Sequence, residues 1–229
     1  MNFVSIPKSS LSFLKDVSKN NNREWFNKNK TRYLQEYEAM IAFTAALLTS
    51  MRKHDNIETT SGKDALFRIY RDTRFSKDKT PYKTHWAGSF KRATKKLRGG
   101  YYFRIEPGAS LAAGGFFSPD PADLLRIRQD INLNYTDWKK IISGSLISKT
   151  FGELKGEKVT SAPRGFSKDN PMIGLLKHKQ FYLQRKFTDK EVLSPGFLKE
   201  LNQTFKSLRP YFDYMSEVLT TDLNGVSML

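Results

Sequence analysis

The stretch YYFRIEPGASLAAGGFF, residues 101–117, predicts the central element of the fold. Residues 101–106 are predicted to form one strand and residues 110–117 another, because aromatic and branched side chains favour strands. The Pro107-Gly108 pair is typical of a turn, and so short a connection predicts an antiparallel hairpin. The Gly114-Gly115 pair inside the second strand indicates a bulge or a close approach of another backbone.

Two further strands are predicted, one before and one after this hairpin. From Ala65 onward, side chains alternate along residues 66–71 (LFRIYR), which suits a strand with one buried face. Residues 180–187 (QFYLQRKF) form the other predicted strand.

A helical hairpin is predicted at the N-terminus. Ser10 is placed to cap a short helix. Asn21, with Glu24 three residues later, resembles a capping box that opens a longer helix. The apolar stripe of this longer helix covers residues 26–51, and a break near residues 30–33 is predicted to divide it.

Local signals also place the later helices. Asp120 before Pro121 predicts a helix start, and Thr136 begins a second short helix. Residues 143–169 are rich in Gly, Ser and Lys and predict short strand-like pieces at most. Thr188 with Glu191 forms a capping box before a long C-terminal helix, whose apolar stripe covers residues 197–219.

Helices therefore bracket a group of strands without a βαβ alternation. This pattern predicts an α+β fold with a mainly antiparallel central sheet, bracketed by the N-terminal helical hairpin and the long C-terminal helix. The chain of 229 residues contains no obvious linker and predicts a single domain, residues 1–229. Within it, residues 1–60 are helical, residues 61–119 are rich in strands, and residues 120–229 are helical and mixed.

Several classes of protein are disfavoured by composition. The chain has no Cys, so disulfides, thiolate nucleophiles and cysteine-ligated metals are excluded. His54, His85 and His178 lack metal-ligand spacing, and neither a metal nor a cofactor is predicted. The opening MNFVSIPKSS lacks the apolar core of a signal peptide. Residues 39–48 are too short to span a bilayer, so we expect a cytoplasmic protein without membrane association.

Charge is the strongest functional signal. The chain has 39 Lys and Arg against 23 Asp and Glu, a formal charge of +16. Between Leu66 and Arg98 the imbalance is concentrated, with eleven basic residues and two acidic ones. Such a surface attracts phosphates, nucleic acids or acidic proteins.

The block FRIYRDTRFSKDKTPYKTHW, residues 67–86, predicts a site for a phosphorylated or carboxylated small molecule. Arginine suits a two-pronged grip on such anions, and hydroxyls such as those of Tyr70 and Thr80 add hydrogen bonds. Within the block, the candidate anion-binding residues are Arg68, Arg71, Arg74, Lys79, Tyr82 and Lys83. The alternative is structural: Asp72 and Asp78 pair with these cations in a network that fixes a long loop. The two interpretations are compatible.

The same block leaves open whether the protein is an enzyme. Asp72 and His85 are the weak candidates for a proton carrier. Residues 91–98 (KRATKKLR) are interpreted as an exposed run of cations without buried partners. With Tyr101, Tyr102 and Phe103, that run forms a nucleic-acid-binding alternative, less favoured than a small anion. A third alternative is an interaction module that docks an acidic protein.

The chain resembles a bacterial and fungal family catalogued as domain of unknown function 2461. The segments that carry the resemblance are NNNREWFNKNKTRY (20–33), IYRDTRFSKDKTPYK (69–83), YYFRIEPGASLAAGGFFSP (101–119), IRQDI (127–131) and SAPRGFSKDNP (161–171). The resemblance implies no particular reaction. It adds Arg164 to the candidate anion-binding residues and draws attention to Asn22, Arg23 and Trp25. The oligomeric state is not indicated.

Overall fold

The computed structural model of the protein describes residues 4–229. The fold is α+β with a four-stranded antiparallel sheet, as predicted. The strands are β1 (Trp86–Lys91), β2 (Gly100–Ile105), β3 (Ser110–Phe116) and β4 (Phe181–Phe187), and they neighbour one another in the order β1-β2-β3-β4. Residues 1–3 lie outside the described residues. They belong to the opening segment MNFVSIPKSS, from which we expected no signal peptide.

Helices occupy the chain before, within and after the sheet. Before β1 lie α1 (Lys8–Lys19), α2 (Arg23–Lys28), α3 (Lys30–Met51) and α4 (Gly62–Ala65). Between β3 and β4 lie α5 (Pro121–Leu133), α6 (Tyr135–Ser143), α7 (Ser145–Phe151) and α8 (Ile173–Leu176). After β4 follow α9 (Asp189–Val192), α10 (Phe197–Lys206) and α11 (Arg209–Thr220).

The chain divides into two compact units. Unit 1 contains the described residues of Met1–Phe90, together with Tyr102–Ala112 and Lys186–Gln203. Unit 2 contains Lys91–Tyr101, Ala113–Arg185 and Thr204–Leu229. Each strand of the sheet contributes residues to both units. A single domain over residues 1–229 stays a prediction.

The predicted central hairpin is present as β2 and β3. Its turn is closed by a hydrogen bond from the Ala109 amide to the Glu106 carbonyl, 2.9 Å long. Gly115 has a φ of +148°, and a Cβ there would lie 2.3 Å from the carbonyl oxygen of Phe181. The close backbone approach predicted for the glycine pair is confirmed, because no side chain fits at that position.

The N-terminal helical hairpin is confirmed, but both of its predicted caps were wrong. Ser10 lies inside α1, where its buried hydroxyl donates to a carboxylate oxygen of Glu36 (2.7 Å). Asn22, and not Asn21, caps α2 by accepting from the amide of Trp25 (2.9 Å). The break in the long stripe falls at Asn29, one residue before the predicted range.

An aromatic cluster fills the core of unit 1. The ring of Trp86 stacks against Phe13 and Tyr33, with centroid separations of 6.1 and 5.9 Å. These rings come from α1, α3 and β1, so the cluster joins the helical hairpin to the sheet residues of this unit. Because aromatic side chains bury large areas, this cluster contributes to the stability of unit 1.

The strand predicted at residues 66–71 is not present. Leu66 pairs with Gly88 and Tyr70 pairs with Tyr82, each as a single antiparallel bridge. Since the two bridges have different partner segments, the chain bends between them and no continuous ladder forms. Leu66 and Ile69 are buried and the two residues between them are exposed, so burial does not follow the predicted period of two.

Four elements were missed: β1 and the helices α4, α7 and α8. β1 buries Trp86, Ala87 and Gly88 in succession, so it lacks the alternation that reveals a half-exposed strand. A Cβ at Gly88 would lie 2.7 Å from both the Ala65 carbonyl and the Phe103 ring, so only glycine fits there. Helix α7 lies in the region predicted to be mostly irregular.

The later helices follow their local signals. Asp120 caps α5 by accepting from the amide of Asp123 (2.8 Å). The Thr188 and Glu191 capping box is present, and it opens the short helix α9. The long C-terminal helical segment is present, with a turn at residues 207–208 between α10 and α11. Pro210, in the first turn of α11, suits such a restart.

Candidate anion-binding site

Residues 66–83 form a projecting segment of unit 1, which we call the basic hairpin. Its base is the Tyr70 and Tyr82 bridge. Two backbone hydrogen bonds flank this bridge: Arg71 donates to the Pro81 carbonyl (2.9 Å) and Lys83 donates to the Ile69 carbonyl (2.8 Å). The chain between these pairs therefore forms a loop, residues 72–80, whose ends are held together.

The second arm of the basic hairpin is anchored to the start of the chain. The side-chain amide of Asn21 donates to the Tyr82 carbonyl (2.9 Å) and accepts from the Tyr82 amide (3.0 Å). The Tyr82 ring stacks on Phe26 with a centroid separation of 3.9 Å and an interplanar angle of 11°. Tyr82 is 4% exposed, so its ring is part of the core and holds the hairpin in place.

Arg71 crosses the loop and holds it closed. Its guanidinium donates to Asp78 (2.5 Å), to the Thr80 carbonyl (3.0 Å) and to the Thr80 hydroxyl. The hydrogen bonds from the Thr80 amide and hydroxyl, followed by that from Arg71, lower the pKa of the Asp78 carboxyl. The loop is thus braced from within, as the structural interpretation of the two aspartates predicted.

Asp72 is paired with Arg74 in the same loop. The Arg74 Nε and Nη2 atoms donate to the carboxylate, the shortest contact being 2.6 Å. This hydrogen bonding lowers the pKa of Asp72, so the carboxyl is ionised at neutral pH and holds no proton to donate. Lys79 donates to the Thr73 carbonyl (2.9 Å) and adds a further brace.

Four cations of the basic hairpin form no ion pair with a carboxylate in the described part of the chain: Arg68, Lys77, Lys79 and Lys83. Arg68 is exposed and its guanidinium makes no hydrogen bond to any residue in the range 4–229. The ammonium of Lys83 donates to the Arg68 carbonyl (2.7 Å) and lies 5.6 Å from the Phe67 ring centroid. Burial, and then the charge of Arg68, lower the pKa of Lys83. Positive charge is therefore concentrated at Arg68 and Lys83, and the charge of Arg68 also helps to lower the pKa of the Asp72 carboxyl.

His85 lies just beyond the hairpin and beside a carboxylate that is distant in sequence. Its Nδ1 atom is 4.0 Å from Glu106 Oε1, which also accepts from the Thr84 hydroxyl (3.2 Å). Burial is the largest cause that lowers the pKa of His85, and Glu106 opposes it. A neutral imidazole at pH 7 is able to accept a proton. The pair therefore forms the clearest acid–base group near the hairpin.

A cleft of about 260 Å³ adjoins this pair within unit 1. Its lining includes Lys15, Ser18 and Lys19 of α1, with Thr84 and Glu106 opposite. A small anion fits the chemistry of the lysines, but the Glu106 carboxylate, which also lines the cleft, opposes it.

The free energy of unfolding is expected to decrease as the pH falls below about 6.5. Burial lowers the pKa of both His85 and His178 in the folded protein. The unfolded chain, with ordinary histidine pKa values near 6.5, then binds more protons than the folded one. The contribution of the two neutral histidines to stability is fully present above this pH. It is lost as the pH falls through their pKa values in the folded protein.

Urea unfolding across this pH window measures the effect. His85→Gln and His178→Gln variants should each show a shallower decrease. Carboxyls whose pKa is lowered, such as those of Asp72 and Asp78, affect the stability in a separate, lower range, below their ordinary pKa of 3.8. A stability that rises on acidification through pH 6 would contradict the buried, neutral state of the two histidines.

Arg164 lies in unit 2, in an exposed turn before Gly165. Its convergence with the basic hairpin stays a prediction. Arg23, to which the resemblance drew attention, is exposed at the start of α2, and its charge acts on the pKa of Tyr82. Arg23 therefore adds positive charge beside the anchored arm of the hairpin.

The interpretation of residues 91–98 as a run without buried partners was wrong. Arg92 is 1% exposed and donates to Asp213 (2.9 Å), Ser216 (3.2 Å) and the Arg98 carbonyl (2.9 Å). Arg98 itself pairs with Asp123. The arginines of this run face inward because their guanidiniums find acceptors from distant helices, whereas Lys95 and Lys96 are exposed.

The aromatic residues assigned to the nucleic-acid alternative are also mostly internal. Tyr101 and Phe103 are buried, and Tyr102 is half-buried. Tyr101 packs edge-on against Phe205 and Phe212 in unit 2. Buried rings cannot stack on bases, so strand β2 does not supply the platform that this alternative required.

The fold and the site together define an α+β protein with an antiparallel sheet and a braced basic hairpin. The chain belongs to the family described as conserved hypothetical protein (DUF2461), whose model matches residues 9–214 of the 229. The match includes the whole basic hairpin. No curated protein and no solved structure matched the chain.

Two general properties complete the description. Within residues 4–229, no helix is both long and apolar enough to cross a lipid bilayer. In the same described range, no three His, Asp or Glu side chains are grouped so that they could hold a metal ion.

Proposed function

We propose that the basic hairpin binds an anionic ligand that carries phosphate or carboxylate groups. The observation that carries the proposal is the pair of Arg68 and Lys83, two neighbouring cations without a carboxylate partner in the described chain. The depressed pKa of Lys83 reflects both its burial and this crowding. An anion bound between them would relieve the repulsion and gain charge-assisted hydrogen bonds.

The other candidate residues support this role indirectly. Arg71 and Arg74 are engaged with Asp78 and Asp72, and Lys79 is engaged with a carbonyl. Their contacts hold the loop in one shape, which preorganises the free cations for a ligand. Arg71, Arg74 and Lys79 are therefore positioning residues in this proposal, and Tyr82 is the anchor.

Removing the two free cations is expected to weaken anion binding about tenfold or more, since each charge-assisted hydrogen bond contributes about 1.5–3 kcal/mol. The test compares the double variant Arg68→Gln, Lys83→Gln with the double variant Lys95→Gln, Lys96→Gln. Both remove two positive charges, and the second pair is exposed outside the hairpin. Inorganic phosphate and pyrophosphate are titrated while amide NMR shifts of residues 66–83 are recorded.

The control variant should bind within about twofold of the natural chain, because net charge alone is a weak and screened attraction. Equal weakening in both variants would contradict a site and leave only a general basic surface. Shift changes confined to residues outside 66–83 would also contradict it. Far-UV circular dichroism of each variant establishes that the fold is retained.

A further inference from the structure

Three aromatic side chains on the basic hairpin are exposed. Phe75 is 96% exposed at the tip of the loop, Tyr70 is 47% exposed at the base, and Phe67 is 42% exposed on the first arm. Cations lie next to them: the Arg74 guanidinium is 5.9 Å from the Phe75 ring centroid and the Lys83 ammonium is 5.6 Å from that of Phe67. Aromatic planes and positive charges therefore alternate along one hairpin.

The position of Phe75 is held by the braced loop. Arg71 closes the loop across Asp78 and Thr80, and the Asp72–Arg74 pair fixes the residues before Phe75. The Ser76 amide donates to the Thr73 carbonyl (3.3 Å), which makes a turn around the ring. The internal hydrogen bonds of the loop thus present the Phe75 ring to water beside two further exposed aromatic rings and several cations, and such a group of rings is suited to contact with a partner.

We infer that the ligand of the basic hairpin is a single-stranded nucleic acid, an inference that rests on the proposed anion site. Unpaired bases stack on Phe75 and on Tyr70, and phosphates of the same strand beyond Tyr70 contact Arg68 and Lys83. Proteins that bind single strands combine a basic track with exposed aromatic rings in this way, because every base has a face that can stack.

Other occupants fit these residues less well. Phe75 is the only apolar residue in the loop DTRFSKDKT (72–80), so the tip lacks the apolar cluster that a membrane surface would take up. An acidic protein would form ion pairs with the cations, but its carboxylates would not stack on the exposed aromatic rings.

The test measures fluorescence anisotropy with labelled oligo-uridine and oligo-thymidine of about 15 nucleotides, and with a duplex of the same length. Single strands should bind more tightly than the duplex, whose bases are already stacked. Phe75→Leu should weaken single-strand binding roughly 5- to 100-fold, and Phe75→Trp should preserve it. Tyr135→Leu, which changes an aromatic residue on α6 that is 46% exposed and lies outside the hairpin, is the control and should have no effect.

The outcomes separate this inference from the anion site beneath it. Equal binding of single strand and duplex, unchanged by Phe75→Leu but weakened by the Arg68 and Lys83 double variant, overturns the stacking inference and preserves the anion site. Binding unaffected by both sets of variants overturns both.

Two further results would overturn the nucleic-acid inference alone. One is no oligonucleotide binding at low salt in a protein that still binds pyrophosphate at the hairpin. The other is binding to vesicles of phosphatidylserine and phosphatidylcholine that Phe75→Leu preserves, with no binding to oligonucleotides. The first result would leave the exposed ring without a role in ligand binding, and the second would assign it to a lipid surface.

Discussion

Replacing Arg92 by alanine is expected to lower the free energy of unfolding by about 3–5 kcal/mol. The guanidinium is buried in unit 2, where it donates to Asp213, to Ser216 and to the Arg98 carbonyl. It also stands 5.2 Å from the Phe212 ring centroid. Alanine would remove these contacts together and leave a cavity that the surrounding side chains fill only in part.

Urea unfolding of the Arg92→Ala variant measures this loss. Lys96→Ala is the matched control, because it removes one positive charge from the same segment at an exposed position, and it should change stability by less than about 0.5 kcal/mol. Arg92→Lys should recover only part of the loss, since one ammonium cannot reproduce the planar fork. If the Arg92 and Lys96 variants were equally stable, the segment would behave as a solvated run of charge.

Replacing Asp130 by alanine is expected to have a similarly large effect, about 3–5 kcal/mol. This carboxylate is 4% exposed and accepts from the Trp138 indole (2.8 Å), the Tyr214 hydroxyl (2.9 Å) and the Asn134 amide (2.8 Å). The Arg126 guanidinium lies 3.7 Å away. Alanine would leave the buried Trp138 indole and the half-buried Tyr214 hydroxyl without this acceptor, and the half-buried Arg126 without its counter-charge.

Asp137→Ala is the control for Asp130, since it removes an exposed carboxylate from the first turn of α6. Its effect on the helix dipole is expected to stay below about 1 kcal/mol. The Tyr214 hydroxyl reports on the same network. Its pKa is raised by burial first and then by Asp130, so spectrophotometric titration of Asp130→Ala should show a tyrosine with a lower pKa. An unchanged titration and unchanged stability would contradict the network.

The sequence predicted the elements whose signals are local. The Pro107-Gly108 turn, the Asp120 cap and the Thr188 capping box each depend on residues only a few positions apart, and each is present. Predictions failed where a residue's partner is distant in the chain. Asn21 has the chemistry of a helix cap, but its amide instead pairs with Tyr82, 61 positions away.

The basic hairpin shows the same division between local and distant interactions. Its charge and its internal aspartate pairs follow from residues within about ten positions of one another, so both interpretations of the block were available from the sequence. Exposure was not. Tyr82 is buried and Phe75 is almost fully exposed, although both are aromatic residues in the same basic segment.

The sequence by itself determined the α+β class, the central β hairpin and the concentration of positive charge between residues 66 and 98. Only the tertiary structure decided which of those charges are neutralised. Arg92 is paired with Asp213, 121 positions away, while Arg68 has no partner in the described chain. The physical reason is that helix caps and tight turns are hydrogen-bonded within a few residues, whereas the pairing and burial of a charge depend on groups that folding brings together from distant parts of the chain.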